Sequence, residues 1–492
     1  MRKALLMIVV SGLTVALIAA CGGGGSGGGT PPATENPLPD SSYTITTTPL
    51  MQFGNAGRNL AEKIAEDSSG NLVVVGTVVN SDSPSWQGST PSFPGAMKIY
   101  AGNNSSGSSL NDIFVAKVDT LAGEVLWLDQ IDVNSAVTEG GAESDEGYGV
   151  VLDTNDNVFV VGTNNTPHAF VLKLQPNGAS VIDSYGFGTY SGINTDYENT
   201  EGFAVAMHET GVGVGYLFVA GYYEKFSAPA IPATAFVASF SFTATEPSLT
   251  FVDIVEFPSV VAGGESWINS LSLDKANKKI YAVGDIDTAT TGVDAFVAPV
   301  DYNELTGVLS KAATPYVTTA IPGTDTGNDI EFGLQSGDYY LVGRVNTTSG
   351  LIDGVVGPAG YIIKNLTADG VYDYFEEVGS TQIDNFSGVS VLNLGGGATD
   401  SVFAVGNTDG AVADLTDALG TGALTVIRDG AGDFGYDLFD NALTSDELYR
   451  DVYFKTNTAN LFGETTGSVV SGFTTANANE DVFITTSIAT KN

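Results

Sequence analysis

Hydrophobic and polar residues alternate over short stretches along most of this chain, and turn residues close each stretch. The first clear example lies between Ile64 and Ile131. Runs of this length, rich in β-branched and aromatic residues and bounded by Gly, Asn, Asp and Ser, are typical of β-strands. The pattern predicts one four-stranded antiparallel sheet. Its strands correspond to Ile64–Asp67, Leu72–Thr77, Asp112–Asp119 and Glu124–Ile131.

The pattern of this first sheet then recurs along the chain. A second-strand signature, an apolar run that ends in glycine, occurs at Leu72–Gly76, Val158–Gly162, Leu217–Gly221, Ile280–Gly284, Tyr339–Gly343, Val402–Gly406 and Ser468–Gly472. A third-strand signature follows each time, at Asp112–Phe114, His168–Phe170, Thr234–Phe236, Asp294–Phe296, Ala359–Tyr361, Gly422–Leu424 and Asp481–Phe483. One sheet cannot bury both of its faces alone, so the copies must stack on one another. We therefore predict an all-β fold, a seven-bladed β-propeller of four-stranded antiparallel blades.

The two ends of the repeat region predict how the ring closes. After the last third-strand signature the sequence reaches Asn492 with no fourth strand, whereas Tyr43–Phe53 is a spare strand before the first blade. We expect this N-terminal strand to be the outer strand of the last blade. Pro49 fits there, because an outermost strand tolerates a missing N–H on its open edge.

The N-terminal segment has the features of a lipoprotein leader. A basic head precedes an apolar run, and the run ends in Ile18-Ala-Ala-Cys21. These four residues resemble the bacterial lipobox, in which the signal is cleaved before a cysteine that carries lipid. The resemblance implies a signal peptide over residues 1–20, a lipidated Cys21 with a Gly/Pro-rich tether over 21–40, and a propeller over 41–492. Gly22 is not the inner-membrane retention aspartate, so the implied location is the cell envelope at the outer membrane, periplasmic or surface-exposed.

Three segments of the first blade resemble the bacterial SBBP repeat, a family named for seven-bladed β-propellers. They are Asp67–Gly76, Asp112–Asp119 and Gly123–Trp127. The resemblance extends over roughly Tyr43 to Asn492, is sharp in the first two blades and decays in the fifth to seventh. The family is defined by its fold, so the resemblance implies architecture and no single activity.

Composition excludes some classes of function. Acidic residues number 57 against 18 basic ones, a net charge of −39, which repels nucleic acid and argues against a nucleic-acid partner. Cys21 is the only cysteine, so the folded body has no disulfide and no catalytic thiol. With two histidines and no nucleophile motif, no catalytic residue can be assigned, and whether the chain is an enzyme stays open.

The lengths of the connections indicate where binding occurs. The long connections alternate with short turns, and alternate connections of a meander lie on one face of the ring, which we call the long-loop face. Aromatic residues in the long connections are the candidate binding residues: Trp86, Phe93, Tyr100, Tyr190 and Tyr197. Carboxylates that precede the inner strands suit Ca²⁺ or are simply solvated charge, with Asp145, Glu146, Asp196, Glu201 and Asp329 as the candidate ligands.

These features favour a lipid-anchored binding or scaffolding module that uses its long-loop face. The membrane is reached through the lipid anchor, and the further partner is a protein or a polysaccharide. Two alternatives stay open: a carbohydrate lyase or hydrolase on the same scaffold, and an envelope assembly factor that adds its blade edges to client strands. The sequence specifies neither the identity of the ligand nor the oligomeric state.

Overall fold

The computed structural model of the chain describes the repeat region, with gaps in the connections. The described residues are 43–54, 58–79, 87–88, 97–100, 111–119, 122–131, 133, 144–164, 168–178, 181–187, 199–225, 231–244, 249–289, 292–311, 315–318, 324–333, 337–347, 357–367, 372–378, 384–392, 401–408, 422–428, 434–439, 447–454, 465–474 and 481–491. No segment within these ranges forms a helix long and apolar enough to cross a membrane.

The regular elements are β-strands. Those of the first half are β1 (Tyr43–Gly54), β2 (Arg58–Glu66), β3 (Leu72–Val79), β4 (Gln87–Gly88), β5 (Met97–Tyr100), β6 (Asn111–Asp119), β7 (Glu124–Ile131), β8 (Asp145–Leu152), β9 (Val158–Asn164), β10 (His168–Leu174), β11 (Val181–Gly186), β12 (Asn199–Gly211), β13 (Val214–Lys225), β14 (Ile231–Phe242) and β15 (Thr250–Phe257).

The strands of the second half continue the same plan. They are β16 (Ser266–Asp274), β17 (Lys279–Thr288), β18 (Gly292–Tyr302), β19 (Leu309–Lys311), β20 (Tyr316–Val317), β21 (Thr324–Phe332), β22 (Tyr339–Thr347), β23 (Gly357–Lys364), β24 (Tyr374–Val378), β25 (Asp384–Leu392), β26 (Ser401–Thr408), β27 (Gly422–Arg428), β28 (Phe434–Phe439), β29 (Glu447–Phe454), β30 (Thr465–Thr474) and β31 (Asp481–Lys491).

The described strands form seven sheets, each built on four antiparallel strands. Six of them take these four strands from one stretch of chain: β2-β3-β6-β7, β8 to β11, β12 to β15, β16 to β19, β21 to β24 and β25 to β28. The seventh joins β29, β30 and β31 to β1, so it contains both ends of the described chain. We number the sheets first to seventh in this order, and call β2, β8, β12, β16, β21, β25 and β29 the first strands.

The pairing of β1 with β31 is antiparallel and extends from Tyr43 opposite Lys491 to Phe53 opposite Val482. The register shifts just after Pro49, where the proline has no N–H to give to the ladder. Phe53 is buried, and its ring lies edge-on to that of Phe114 in the first sheet, with ring centres 6.3 Å apart. The N-terminal strand therefore contacts the first sheet while it belongs to the seventh.

Apolar side chains fill the spaces between consecutive sheets. Separate buried clusters join the first sheet to the second, the second to the third, and so on to the sixth. Another cluster joins the first sheet to the seventh, and β29 packs against β25 and β26 of the sixth. Each sheet thus buries both faces against its neighbours, which is the packing of an all-β propeller with four-stranded antiparallel blades.

The recurrent glycine of the second strands has a structural cause. In every sheet the first strand carries a β-bulge opposite this glycine, where two residues face one. A Cβ on Gly162 would lie 2.0 Å from the carbonyl oxygen of Glu146, and one on Gly221 would lie 1.8 Å from that of Glu201. The bulged residues are Glu62, Tyr148, Phe203, Asn269, Asn328, Ser387 and Arg450.

Replacing the glycine opposite a bulge should therefore destabilise the fold. We expect Gly162→Ala to lower the free energy of unfolding by about 1–3 kcal/mol, because the new methyl group can be placed only by moving backbone. Urea denaturation measures the change. The control is Gly186→Ala, because an added Cβ there meets no atom within 4 Å and should change stability by less than about 0.5 kcal/mol. Equal effects at the two positions would contradict the bulge explanation.

Candidate functional site

A lysine on the first sheet contacts the fifth and the seventh sheets. The Nζ atom of Lys63, on β2, lies 3.1 Å from Oδ1 of Asp329 on β21 and 3.0 Å from Oδ1 of Asp451 on β29. Both carboxylates are buried, and the lysine side chain is one-quarter exposed. First strands of the first, fifth and seventh sheets therefore converge on one ammonium group.

The two carboxylates also accept hydrogen bonds from other groups. Asp329 also accepts a hydrogen bond from the hydroxyl of Ser270 on β16, and from the N–H of Val389 on β25 at 2.9 Å. Asp451 accepts the N–H of Ile64 at 2.9 Å. We call Lys63, Ser270, Asp329 and Asp451 the central network. It joins first strands of five sheets, the first, fourth, fifth, sixth and seventh.

The four residues of the central network share one position in the repeat. Each follows directly after the bulged residue of its strand, at the point where the register shifts. A bulge bends the strand and redirects the side chains beside it. The repeated bulge therefore explains why charged residues from separate sheets meet.

Burial and oppositely charged neighbours act in opposite directions on the pKa values of Lys63 and Asp451. Burial disfavours the charged ammonium, but Asp329 and Asp451 together outweigh burial and raise the pKa of Lys63. Burial raises the pKa of Asp451 to about 6, with Lys63 opposing this and Asp329 adding to it. The arrangement is one cation shared by two carboxylates, in which the cation opposes the rise in the pKa of Asp451.

A further carboxyl group lies near the network without an ion-pair partner among the described contacts. Glu331 follows Asp329 by two residues on β21 and is half-buried. Burial raises its pKa to about 8, and Asp329 and Asp451 raise it further while Lys63 lowers it. Glu331 is therefore largely protonated at neutral pH.

Acidic and aromatic side chains come together across the first three sheets. The hydroxyl of Tyr148 donates to Glu146 on the same strand, and its ring lies edge-on to Phe203 with ring centres 5.1 Å apart. Phe203 lies against Tyr222 at 5.8 Å, and Tyr222 hydrogen-bonds to Glu201. We call this half-buried group the acidic–aromatic wall, consisting of Glu62, Glu146, Tyr148, Glu201, Phe203 and Tyr222.

The wall carries concentrated negative charge. Burial raises the pKa of Glu62, and the nearby charge of Glu146 adds to this rise. Arg450 opposes the rise, because its Nε atom lies 4.0 Å from Oε2 of Glu62. Burial also raises the pKa of Tyr148, and the charge of Glu146 adds to the effect. Each shift has burial as its first cause and a neighbouring carboxylate as a further one. Such a surface favours a cation, because a cation relieves this repulsion and can also lie against the aromatic rings.

Asp285 is a buried aspartate on β17 of the fourth sheet, the sheet that follows those of the acidic–aromatic wall. The Nε1 of Trp267 donates to Oδ2 of Asp285 at 2.7 Å, and Asn269 donates to the same oxygen at 3.3 Å. The N–H of Gly327, from the fifth sheet, donates to Oδ1 at 2.8 Å. Burial raises the pKa of Asp285 to about 7, and these hydrogen bonds oppose the rise. Both oxygens are therefore occupied by structural donors.

Most of the aromatic residues predicted to bind lie outside the described residues. These are Trp86, Phe93, Tyr190 and Tyr197, and the same holds for Asp196 and for the proposed lipidation site Cys21. Tyr100 is the exception, and its predicted place in a loop is wrong. It belongs to β5, which pairs in parallel with β7 so that Tyr100 lies opposite Ile131. The short strand Met97–Tyr100 covers part of the outer edge of the first sheet.

The predicted calcium ligands divide between different surroundings. Asp145 is buried and its Oδ2 accepts the N–H of Val133 at 2.7 Å, whereas Asp329 belongs to the central network. Glu146 and Glu201 do come together, in the acidic–aromatic wall. Over the described ranges, no three or more His, Cys, Asp or Glu side chains form a group that could hold a metal ion. Calcium binding stays a prediction.

Sequence reasoning missed the residues that organise the centre. Lys63, Asp451, Glu62 and Arg450 were not among the candidates, because solvated charge explains most charged residues in so acidic a chain. No local signal marks Lys63 and Asp451, because β2 and β29 contain several other charged residues.

Removing the central ammonium should strongly destabilise the protein. We expect Lys63→Met to lower the free energy of unfolding by about 3–5 kcal/mol at neutral pH, because Asp329 and Asp451 are left buried without a counter-charge. Urea denaturation measures the loss. The matched control is Lys279→Met, because Lys279 forms an exposed ion pair with Asp301 at 3.6 Å, and such pairs contribute about 0–1 kcal/mol. A loss of similar size in both variants would contradict the role given to Lys63.

Glu331 should make stability fall as the pH rises. Its pKa is raised in the folded state from 4.5 to about 8, so the folded protein holds a proton that the unfolded chain releases. Its contribution is therefore complete below about pH 4.5 and is lost as the pH rises to about 8. Glu331→Gln should be more stable than the parent by at least about 1 kcal/mol at pH 8. Thermal melts at pH 5 and pH 8 test this, and an unchanged difference between the two pH values would contradict it.

Comparisons with known proteins give no family for the chain. No family model and no curated protein match it. Two solved glucose dehydrogenase structures are similar at 6% and 11% identity, with TM-scores of 0.38 and 0.35, each over 69% of this chain and 95% of the other. The WD40 domain of SCAP from fission yeast is similar at 10% identity and a TM-score of 0.35, over 92% of this chain and 98% of that domain. These similarities are too low to support an activity. The strand order of the chain itself identifies it as an all-β propeller with four-stranded antiparallel blades.

Proposed function

We propose that this chain is a lipid-anchored binding module of the cell envelope, in which the acidic–aromatic wall receives basic groups of a protein partner. The observation that carries the proposal is the wall itself. Three carboxylates and three aromatic rings lie together, half-buried, on strands of a rigid scaffold. Binding sites are commonly built from such groups held in place by packed sheets.

The wall lies toward the long-loop face. The backbone N–H of Asn111 donates to Ser144 at 3.1 Å, and its side-chain amide donates to Glu146 at 3.2 Å. Asn111 begins a third strand and Ser144 precedes a first strand, so each follows one of the long connections. This contact supports a common face for those connections, with Glu146 beside them.

The chemistry of the wall suits lysine and arginine side chains. Carboxylates make charge-assisted hydrogen bonds to ammonium and guanidinium groups, and aromatic faces attract the same cations. The net charge of −39 draws a basic partner from a distance. The aromatic residues of the long connections, Trp86, Phe93, Tyr190 and Tyr197, would add apolar contacts around that site.

The proposal also covers the architecture of the propeller that the lipid would hold at the membrane. The seven sheets form one seven-bladed ring of the SBBP type, closed by the N-terminal strand in the last blade. The pairing of β1 with β31 and the cluster between the first and seventh sheets support closure. The lipobox Ile18–Cys21 supports lipidation at Cys21 and a place at the outer membrane.

The arrangement of the perturbed carboxyl groups favours binding over catalysis. Asp285 has a pKa of about 7, which suits general acid–base chemistry, but structural donors occupy both of its oxygens. His208 is also buried, and its Nδ1 atom lies 3.2 Å from the hydroxyl of Tyr302, so this imidazole has a structural partner as well. An assembly role through blade edges is less favoured in the first and seventh sheets, because β5 and β4 pair with parts of their outer strands.

The test uses a cationic probe. We expect a hexa-arginine peptide to bind the full chain, and the double variant Glu146→Gln, Glu201→Gln to weaken binding at least about tenfold, because two half-buried carboxylates of the wall lose their charge. Isothermal titration calorimetry at physiological salt measures the affinity. The control Glu66→Gln, Glu124→Gln removes the same charge from the short-turn ends of β2 and β7 and should change affinity little. Equal losses in the two double variants would show unspecific attraction and contradict the proposed site.

A further inference from the structure

Exposed apolar side chains gather on the face opposite the long connections. We call this the short-turn face, because the tight turns after the first and third strands lie there. In the third sheet, Val212 and Val214 are at the turn between β12 and β13; in the fourth, Leu305 and Val308 are at the turn between β18 and β19. Their exposed fractions are 71%, 40%, 82% and 49%, in that order. These four residues are the apolar turn patch.

The two turns of the patch are held side by side. The hydroxyl of Tyr216, on β13, donates to the carbonyl oxygen of Leu305 at 2.7 Å. The hydroxyl of Ser239, on β14, donates to the carbonyl oxygen of Gly307 at 2.8 Å. The apolar side chains are therefore presented by hydrogen-bonded turns, which fix them in an exposed position.

Lysines and carboxylates both lie near the patch. Lys275 and Lys278 lie in the neighbouring turn between β16 and β17, and Lys279 begins β17. Lys278 pairs with Glu304 and Lys279 with Asp301, while Glu209 accepts the N–H of Gly213 and Asp253 that of Leu309, so both signs of charge are present around the patch. The chain as a whole carries −39, so this surface repels phospholipid head groups far less than the rest does.

The segment that leads to Cys21 leaves the propeller from the same face. Tyr43, the first residue of β1, pairs with Lys491 at the end of the third strand β31. Third strands end at the short-turn face, as β18 does beside Leu305. Only 21 residues, rich in glycine and proline, separate Cys21 from Tyr43 in the sequence. A lipid at Cys21 would therefore bring the short-turn face close to the bilayer.

Among the residues that the structure describes, the exposed large hydrophobic side chains lie mainly on the short-turn face. The exposed large hydrophobic residues of the described chain are the four of the patch, Leu126 and Val260. Leu126 lies near the start of β7, just after a short turn, and so belongs to the short-turn face. Val260, which is 76% exposed, lies between β15 and β16 on the long-loop face.

We propose that the apolar turn patch inserts into the phospholipid bilayer that holds the Cys21 lipid, so that the short-turn face lies on the membrane. The proposal rests on the proposed lipid anchor. Stable attachment to a membrane commonly takes two signals, and the patch supplies the second beside the acyl chains. The acidic–aromatic wall then faces away from the bilayer, open to its partner.

A single reactive cysteine tests the orientation. Val212→Cys, Leu305→Cys and the matched control Val260→Cys are each made in the full chain, purified with its native lipid, and labelled with an environment-sensitive NBD probe. Cys21 is the only native cysteine, and its lipidated sulfur does not react. In vesicles of phosphatidylethanolamine and phosphatidylglycerol, the emission of the probe should shift to the blue at positions 212 and 305 and stay unchanged at 260.

A second arm separates the face from the anchor. Cys21→Ser is combined with six histidines inserted between Gly25 and Ser26, and the labelled chain is tethered to vesicles that contain a nickel-chelating lipid. If the native chain does not float with vesicles, the proposal of a lipid anchor is wrong. The probes in the tethered chain then show by themselves whether the short-turn face contacts the bilayer. Probes at 212 and 305 that behave like the probe at 260 in the tethered chain overturn the proposal. A blue shift that appears only after envelope proteins are added also overturns it, because a protein then covers the patch.

Discussion

The ion pair of Lys63 with two buried aspartates is the constraint on which the centre of the molecule depends. Apolar packing joins each sheet only to its neighbours, and packing of that kind tolerates small rotations of one blade against the next. A single ammonium group shared by Asp329 and Asp451 joins the adjacent first and seventh sheets to the fifth, which is a neighbour of neither. Since a buried carboxylate without its counter-charge is costly, the three strands have one favourable arrangement.

This network also places the other chemistry of the centre. Glu62 directly precedes Lys63 in the bulge of β2, and Arg450 directly precedes Asp451 in that of β29. Fixing the lysine and the aspartate therefore fixes the Glu62–Arg450 contact beside the acidic–aromatic wall. The arrangement separates a centre in which one ammonium group is shared by two carboxylates from a wall in which three carboxylates lie near one guanidinium group.

Much of the fold could be predicted from the chain, and the reason is repetition. Each apolar run followed by glycine, as at Val158–Gly162, marks a second strand, and Tyr43–Phe53 pairs with the last third strand. The meaning of the glycine could not be predicted, because it depends on a bulge in a neighbouring strand. The central network was equally hidden, since Lys63 and Asp329 are 266 residues apart and no local pattern links them. Tyr100 was expected in a loop, whereas the short segment Met97–Tyr100 inside that long connection pairs with a sheet edge.

The bulge in each first strand has a consequence for how such a protein can change. A bulged residue stands outside the regular ladder of the sheet, so its side chain is not needed for strand pairing. The seven bulged positions hold glutamate, tyrosine, phenylalanine, two asparagines, serine and arginine within one backbone plan. New ligand chemistry can therefore arise at the centre of the ring by exchange of single side chains, while the glycine opposite each of them preserves the frame.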